Sequence, residues 1–183
     1  MNVFVHYEDG AHPDYIEAAE LAYTLLGQAN NKSISFDARP LGLTLPSLGS
    51  EQYDSSWIEK VNVETGTSFL VITARDLGAA GLSFCYGRSA FNQRASIASS
   101  HRVSPTSFVG LVLHESGHSL GLVEASAPRH DNISAFIGHC ANSCVMEPVN
   151  SPVEMEGVIQ KVISRPDTSG FCGECITDLD VWQ

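Results

Sequence analysis

The chain has 183 residues, of which 43% are hydrophobic and 17% are charged, and its formal net charge is −11. These values fit one soluble domain, and the acidic balance argues against nucleic acid or an anionic membrane surface as the main partner. No apolar run approaches the roughly 18–20 residues needed to cross a bilayer. Residues 1–7 lack a basic segment followed by a long apolar one, so we expect a cytoplasmic protein without a secretory signal.

The start of the chain shows a strand–helix–strand pattern. Alternating apolar residues predict strands over residues 3–7 and 34–38, and helical spacing predicts a helix over residues 13–27 between them. Strands joined in this way are normally parallel, with a right-handed crossover. Residues 40–50 are rich in proline, glycine and serine, which predicts a loop.

Apolar runs between turn residues predict the later elements. They are a short helix over residues 57–63, a buried strand over 69–73, strands over 82–86 and 95–98, a helix over 106–120 that ends at Gly121, and a helix over 152–163. The last helix begins with a capping-box pattern, because Ser151 precedes Pro152 and Glu154. No linker or internal repeat interrupts this order, so we expect a single α+β domain.

The predicted helix over residues 106–120 carries an H-E-x-x-H motif formed by His114, Glu115 and His118. Positions four apart lie on the same face of a helix, so the two imidazoles can hold one metal ion. Glu115 is not needed as a ligand and is free to act as general base on a metal-bound water. This combination predicts an amide-hydrolysing zinc site. The competing interpretation is a chance pair of surface histidines beside a glutamate.

A catalytic zinc usually has three protein ligands, and the motif supplies two. Gly121 lets the helix end in a sharp turn that brings the following chain back under the metal. In the metzincin pattern a histidine follows this glycine by three residues, but Glu124 occupies that position here. His130 and His139 lie further on, and a carboxylate can also bind zinc. Glu124, His130 and His139 are therefore the candidates for the third ligand.

Four of the five cysteines fall into two close pairs. Cys140 and Cys144 form C-x3-C, and Cys172 and Cys175 form C-x2-C. This spacing is typical of a tetrahedral zinc site with four thiolate ligands. The alternatives are disulfides or free buried thiols, and a reducing compartment favours zinc. Cys85 lies in an apolar predicted strand and is interpreted as a core residue.

These motifs resemble the archaemetzincins, whose pattern is H-E-x-x-H-x-x-G-x-x-H-C, then a second cysteine followed by x-Met, and a later C-x-x-C. The matching residues are His114, Glu115, His118, Gly121, His139, Cys140, Cys144, Met146, Cys172 and Cys175. The segment over residues 69–90 also looks like the family's strand and its G-L-x-F stretch. The resemblance covers roughly the second half to two thirds of the chain.

The resemblance implies an α+β, metzincin-like fold, with a twisted, mostly parallel sheet above an active-site helix. We expect one domain over residues 1–183, divided into an N-terminal subdomain (1–121) and a small zinc-stabilised C-terminal subdomain (122–183). The resemblance also implies two Zn²⁺ ions per chain, one catalytic and held by three histidines, the other structural and held by the four cysteines. Met146 would form the Met-turn beneath the catalytic zinc. The implied function is a zinc metallopeptidase acting on peptide or protein substrates.

The sequence departs from the family by an insertion over residues 124–138, between Gly121 and the H-C pair. We favour His139 as the third ligand because adjacent residues of an extended segment point to opposite sides, so that His139 and Cys140 can face different zinc ions. A longer loop costs little closure entropy, and leishmanolysins resemble this case in having a long insertion there. Glu124 and His130 remain the alternatives.

Two other functions compete with the peptidase. One is a non-catalytic zinc protein that keeps the fold and acts by binding a partner, and the other is a redox-sensitive protein that uses its cysteines. For the peptidase, the candidates for transition-state stabilisation are Tyr86, Arg88 and His101, which lie near the predicted edge strand and the approach to the helix. No pattern in the sequence indicates an oligomeric state.

Overall fold

The computed structural model describes residues 1–42, 44–48, 52–79, 82–90, 93–123, 139–149 and 151–180. Its strands are β1 (Asn2–Tyr7), β2 (Ser35–Pro40), β3 (Gln52–Asp54), β4 (Thr67–Thr73), β5 (Asp76–Ala79), β6 (Leu82–Cys85), β7 (Gly87–Ala90) and β8 (Ala95–Ser99). Its α-helices are α1 (Pro13–Ala29), α2 (Pro105–Ser119), α3 (Pro152–Ser164) and α4 (Gly173–Asp180). Two short 3₁₀ helices cover Ser55–Lys60 and Pro166–Thr168.

The main sheet has five strands in the order β2-β1-β4-β8-β7. The first four are parallel, and β7 runs antiparallel to β8 at one edge. Val5, Leu70 and Ile97 on the three central strands are fully buried, as expected for a parallel sheet covered on both faces. The predicted strand–helix–strand start and the mostly parallel sheet are confirmed.

A smaller sheet has the order β3-β5-β6. The strand predicted over residues 82–86 is present as β6, which ends at Cys85, and a strand that we did not predict, β7, begins at Gly87 in the main sheet. The apolar alternation of Leu82, Phe84 and Tyr86 stops at Gly87, so β7 has no periodic signal of its own. β5 was not predicted, because four residues are too few for a periodic signal.

Helix α2 lies at the centre of the molecule and packs against α1, α3 and the strands β7 and β8. All its residues from Ser107 to Ser119 are buried. It begins at Pro105, and the Ser104 hydroxyl accepts a hydrogen bond from the backbone N–H of Ser107. Because packing surrounds it, polar side chains on any of its faces lie in the interior.

A Schellman motif ends α2. The N–H of Gly121 donates to His118 O at 2.9 Å, and the N–H of Leu122 donates to Gly117 O at 2.9 Å. Gly121 has a φ of 81°, in the left-handed region that glycine adopts without strain. The predicted stop and sharp turn at Gly121 are therefore present.

Helix α1 continues beyond Gly27, where we predicted its end, to Ala29. A β-carbon at Gly27 would lie 2.7 Å from the carbonyl oxygen of Lys32, so this glycine allows a close approach of the returning chain. The short helix predicted over residues 57–63 is the 3₁₀ helix Ser55–Lys60. Helix α4 was not predicted, since its eight residues give little periodicity.

The larger hydrophobic core joins both ends of the chain, since it includes Val3 and Tyr23 as well as Val145 and Leu179. A second cluster around Ile58 and Leu77 lies between the smaller sheet and the main one. The predicted division at residue 121 stays a prediction. No α-helix among the residues that the structure describes is long and apolar enough to cross a membrane.

Candidate metal centre

Helix α2 places His114 and His118 one turn apart on the same face. Both side chains are 5% exposed, and their Nε2 atoms lie 3.0 Å apart. Two nitrogens bound to one tetrahedral zinc at 2.0–2.1 Å would lie about 3.3 Å apart. The spacing of the two imidazoles therefore fits a shared zinc ion.

His139 lies beside this pair. Its ring centroid is 5.2 Å from that of His114 and 4.9 Å from that of His118. One nitrogen from each of the three rings can be chosen so that all three lie within 4.8 Å of one another. The structure thus brings the favoured third residue to the pair. The alternatives, Glu124 and His130, lie outside the described residues.

The carbonyl oxygen of Val145 orients His114. Nδ1 of His114 donates to this oxygen at 2.8 Å. A carbonyl can only accept, so the proton sits on Nδ1 and the lone pair of Nε2 faces His118. Burial lowers the pKa of His114 to about 4, with His139 acting in the same direction and the bond to Val145 opposing it. Burial, with His114 and His139, also lowers the pKa of His118. Neutral imidazoles are the form that binds a metal.

Glu115 lies beside the histidines and is 6% exposed. The hydroxyl of Ser89 on β7 is 2.6 Å from Oε2 of Glu115 and 2.7 Å from its backbone carbonyl oxygen. Burial raises the pKa of Glu115 to about 7, although the Ser89 hydrogen bond and the Arg88 charge oppose the rise. A carboxyl group with this pKa is suited to exchanging protons near neutral pH.

Met146 lies beneath the helix turn that carries the histidines. Its side chain is fully buried, and its sulfur occupies the space that a β-carbon on Gly117 would take. The carbonyl oxygen of Met146 accepts a hydrogen bond from Cys140 N–H at 2.8 Å, and this bond closes the segment into a turn. The sequence-predicted Met146 is therefore in contact with the helix that carries the histidine pair.

Cys140, Cys144, Cys172 and Cys175 form a second cluster, in which all four sulfurs lie within 4.8 Å of one another. The sulfurs of Cys140 and Cys172 are 3.8 Å apart, and those of Cys144 and Cys175 are 3.9 Å apart. Four thiolates bound to zinc at about 2.3 Å in a tetrahedron would have S–S distances of about 3.8 Å. Disulfide sulfurs would be about 2.05 Å apart, so the arrangement fits zinc rather than two disulfides.

Backbone groups also point at these sulfurs. The N–H of Asn142 donates to Cys140 Sγ, and the N–H of Met146 donates to Cys144 Sγ, both at 3.3 Å. A hydrogen bond with Cys172 is the main cause that raises the pKa of Cys144 to about 12. Four thiols packed this closely ionise together only when a cation offsets their charge, which is the condition that zinc creates.

One short segment links the two clusters. His139 faces the histidine pair, while the adjacent Cys140 faces the other cysteines. In the same segment, Val145 orients His114 through its carbonyl group, and Met146 packs against α2. The opposite orientation of His139 and Cys140 agrees with the expectation for adjacent residues of an extended chain.

A cleft of about 560 Å³ opens beside the histidines and Glu115. Its lining includes Leu111, Val149 and Met155, which give it an apolar wall. At its other side Arg88 donates to Glu59 Oε1 through Nε at 3.1 Å. The cleft therefore offers an apolar wall and a charged rim next to the three histidines.

Two of the three candidates for transition-state stabilisation, Tyr86 and Arg88, line this cleft. The third, His101, does not belong to the described lining, and its Nε2 lies 3.9 Å from Asp76 Oδ1 instead. Sequence reasoning missed Ser89, because a serine in a short strand carries no distinguishing pattern. It also missed the Val145 carbonyl group, since a main-chain acceptor has no signature in the side-chain sequence.

No family model matches the sequence, and no curated protein matches it significantly. Solved structures do match. An archaemetzincin from Archaeoglobus fulgidus aligns with 97% of this chain and 99% of its own, at 21% identity and a TM-score of 0.69. An archaemetzincin from Methanopyrus kandleri covers 98% of this chain and 93% of its own, at 20% identity and a TM-score of 0.71. A zinc-dependent peptidase from Methanocorpusculum labreanum aligns with 97% of this chain and 99% of its own, at 15% identity and a TM-score of 0.64.

These alignments extend the likeness to the start of the chain, where the sequence motifs gave no match. They agree with the mixed α/β architecture, the mostly parallel sheet and the cysteine cluster that could hold zinc. This chain has the fold of the archaemetzincins.

Proposed function

We propose that this protein is a zinc-dependent metallopeptidase that hydrolyses peptide bonds. The observation that carries the proposal is the buried carboxylate of Glu115 beside three clustered histidines at the wall of a cleft. The proposal is further supported by the names of the similar structures, two archaemetzincins and a zinc-dependent peptidase.

We assign two Zn²⁺ ions to each chain. His114, His118 and His139 hold the catalytic ion, and this assignment is supported by the lowered pKa values of His114 and His118 and by the spacing of the three nitrogens. The structural ion is held by the four cysteines, Cys140, Cys144, Cys172 and Cys175. Three protein ligands leave one position for water at the first ion, whereas four thiolates close the second.

The chemistry follows from what surrounds Glu115. Zinc, when bound by the three histidines, supplies a Lewis acid that polarises a carbonyl group and acidifies a water molecule. Glu115 accepts a proton from the attacking water and passes it to the amine nitrogen as the C–N bond breaks. The water oxygen stays on the carbonyl carbon, which leaves one new carboxyl and one new amino terminus. Met146 supports the helix turn beneath the histidines as the Met-turn residue.

The substrate is a peptide or a protein segment that enters the cleft beside Glu115. The apolar wall of Leu111, Val149 and Met155 favours an apolar side chain next to the cleaved bond. We place the enzyme in the cytoplasm, as the sequence predicts, and expect neither nucleic acid nor a membrane as a partner.

The test is a Glu115→Gln variant, which keeps the size of the side chain and removes its basicity. The zinc-loaded variant and the wild type are incubated with a peptide library, and products are measured by mass spectrometry. We expect hydrolysis to fall by about 10²–10⁴-fold, the usual contribution of a general base, while zinc content is unchanged. Glu20→Gln, at an exposed position on α1, is the matched control and should leave hydrolysis intact.

The alternative is a non-catalytic zinc protein that keeps this fold and binds a partner. The insertion over residues 124–138, ahead of His139, is the feature that favours it. It predicts that the histidine site fills with zinc and that no peptide in the library is cleaved by the wild type. If the wild type and Glu115→Gln cleaved peptides at equal rates, the role of Glu115 as general base would be contradicted.

A further inference from the structure

The edge strand β7 approaches Glu115 through two alternate residues, Gly87 and Ser89. Alternate residues of a strand share a face, and this face of β7 is turned toward α2. A β-carbon at Gly87 would lie 2.5 Å from Oε1 and 2.6 Å from Cγ of Glu115. Two residues on, the hydroxyl of Ser89 lies 2.6 Å from Oε2. Gly87 therefore leaves the space that the carboxylate fills, and Ser89 contacts its second oxygen.

A glutamate side chain has three rotatable bonds, so a fixed orientation of its carboxylate requires a contact that holds it. Within the described part of the chain, Ser89 is the only residue that donates a hydrogen bond to the Glu115 carboxylate. Ser89 is itself 6% exposed, so water competes little for its hydroxyl group. The same hydroxyl lies 2.7 Å from the carbonyl oxygen of Glu115, so its single proton is shared between that oxygen and Oε2.

We propose that Ser89 is a positioning residue for Glu115: its hydroxyl group, in the gap opened by Gly87, holds the carboxylate in the orientation needed for proton transfer. The inference rests on the proposed function of Glu115 as general base. A hydrogen bond to a charged acceptor is shorter and stronger than one between neutral groups, and the bond occupies Oε2.

Ser89 lies far from Glu115 in the sequence, so the contact between them is a tertiary one. Ser89 lies on a different element from His114, Glu115 and His118, and it is not part of the histidine cluster. Its removal should therefore change the turnover rate and leave metal binding intact. Misplacement of a reacting group by about 1 Å can lower a rate by about 100-fold.

Ser96 offers a matched control. It lies directly opposite Ser89 in the β7–β8 ladder and is fully buried. Its hydroxyl has no hydrogen-bond partner among the described residues. Ser89→Ala and Ser96→Ala thus remove the same atom from neighbouring buried positions, and only the first loses a contact with Glu115. Ser89→Thr keeps the hydroxyl group and serves as the rescue variant.

The experiment measures kcat and KM of the zinc-loaded proteins on a peptide that the wild type cleaves, together with zinc content and Tm. We expect Ser89→Ala to lower kcat by about 10- to 100-fold, with KM and zinc content unchanged. Ser96→Ala should match the wild type, and Ser89→Thr should recover most of the lost rate. Unchanged kcat in Ser89→Ala, loss of its zinc, or failure of Ser89→Thr to restore the rate would each overturn the proposal.

A second measurement separates this inference from the proposed function. If the wild type cleaves no peptide, the peptidase assignment fails, and crystal structures of zinc-loaded wild type and Ser89→Ala decide the role of Ser89. We expect the carboxylate of Glu115 to be displaced or to adopt several rotamers in the variant. A carboxylate in the wild-type position would overturn the inference.

Discussion

The sulfur of Met146 fills the space in which a β-carbon on Gly117 would lie. Gly117 is inside α2, between Glu115 and His118, where a glycine costs helix stability compared with alanine. The missing side chain lets Met146 reach the helix turn that carries His114 and His118. The glycine in the H-E-x-x-H motif is thus required by packing.

Gly117→Ala should destabilise the protein although alanine favours a helix. The added methyl group overlaps Met146 and would lie 3.2 Å from Leu122 Cδ1, and such overpacking costs about 1–3 kcal/mol. Denaturant unfolding of the zinc-loaded protein measures the change. Gly157→Ala in α3 is the control, since no atom lies within 4 Å of the added carbon there. It should be neutral or stabilise by up to about 1 kcal/mol.

His139→Ala should weaken zinc binding at the histidine site by more than about 100-fold, because losing even an outer partner of a metal ligand costs 10- to 100-fold. Competition with a zinc-sensitive dye measures the affinity. Glu124→Ala and His130→Ala should bind zinc like the wild type, as should the exposed control His12→Ala. If Glu124→Ala or His130→Ala bound zinc weakly while His139→Ala bound it normally, the residue replaced in the weakly binding variant would be the third ligand.

Cys140→Ser should lower the zinc content from about two ions per chain to about one. It should also cost more than about 4 kcal/mol of unfolding free energy, since loss of a structural metal is among the most destabilising changes. Elemental analysis and thermal unfolding measure the two effects. Cys85→Ser is the control, because Cys85 lies outside the cysteine cluster, next to Ser55 Oγ at 3.6 Å. A wild type with disulfides and one zinc ion would contradict the assignment.

The metal-free protein should become less stable as the pH falls from about 6.5 to about 4. Burial lowers the pKa of His114 to about 4 and also lowers that of His118. As the pH falls, these histidines therefore bind protons at a higher pH in the unfolded chain than in the folded protein. The stability that they contribute above pH 6.5 is lost as the pH falls toward 4. For His114 the shift corresponds to about 3 kcal/mol.

The raised pKa of Glu115 makes the folded protein more stable as the pH falls, which is the opposite effect. The measurement is therefore made on the Glu115→Gln variant, which lacks this carboxyl group. Unfolding free energy is followed against pH after chelation has emptied the histidine site. A second protein that also carries His114→Asn should show a flatter decline between pH 6.5 and pH 4. Parallel curves for the two proteins would contradict the assigned shift.

The sequence alone determined the features that depend on neighbours within a few residues. The spacing of His114, Glu115 and His118, the left-handed turn at Gly121 and the cap at Ser151 follow from local geometry. The two cysteine pairs predicted a cluster for the same reason, because the short spacing within each pair keeps its two sulfurs close together. Helical and strand periodicity located most of the elements, because each is a repeat over a short window.

Only the tertiary structure decided which distant groups meet. It brought His139 to the histidine pair across the insertion, placed the Val145 carbonyl against His114, and set Ser89 against Glu115. It also placed β6 and β7, which are separated only by Tyr86, in different sheets. These contacts join residues far apart in the chain, and they depend on the packing of α2 between the sheet and α3. Local periodicity carries no information about such pairings, because the same spacing fits many ways of folding the chain.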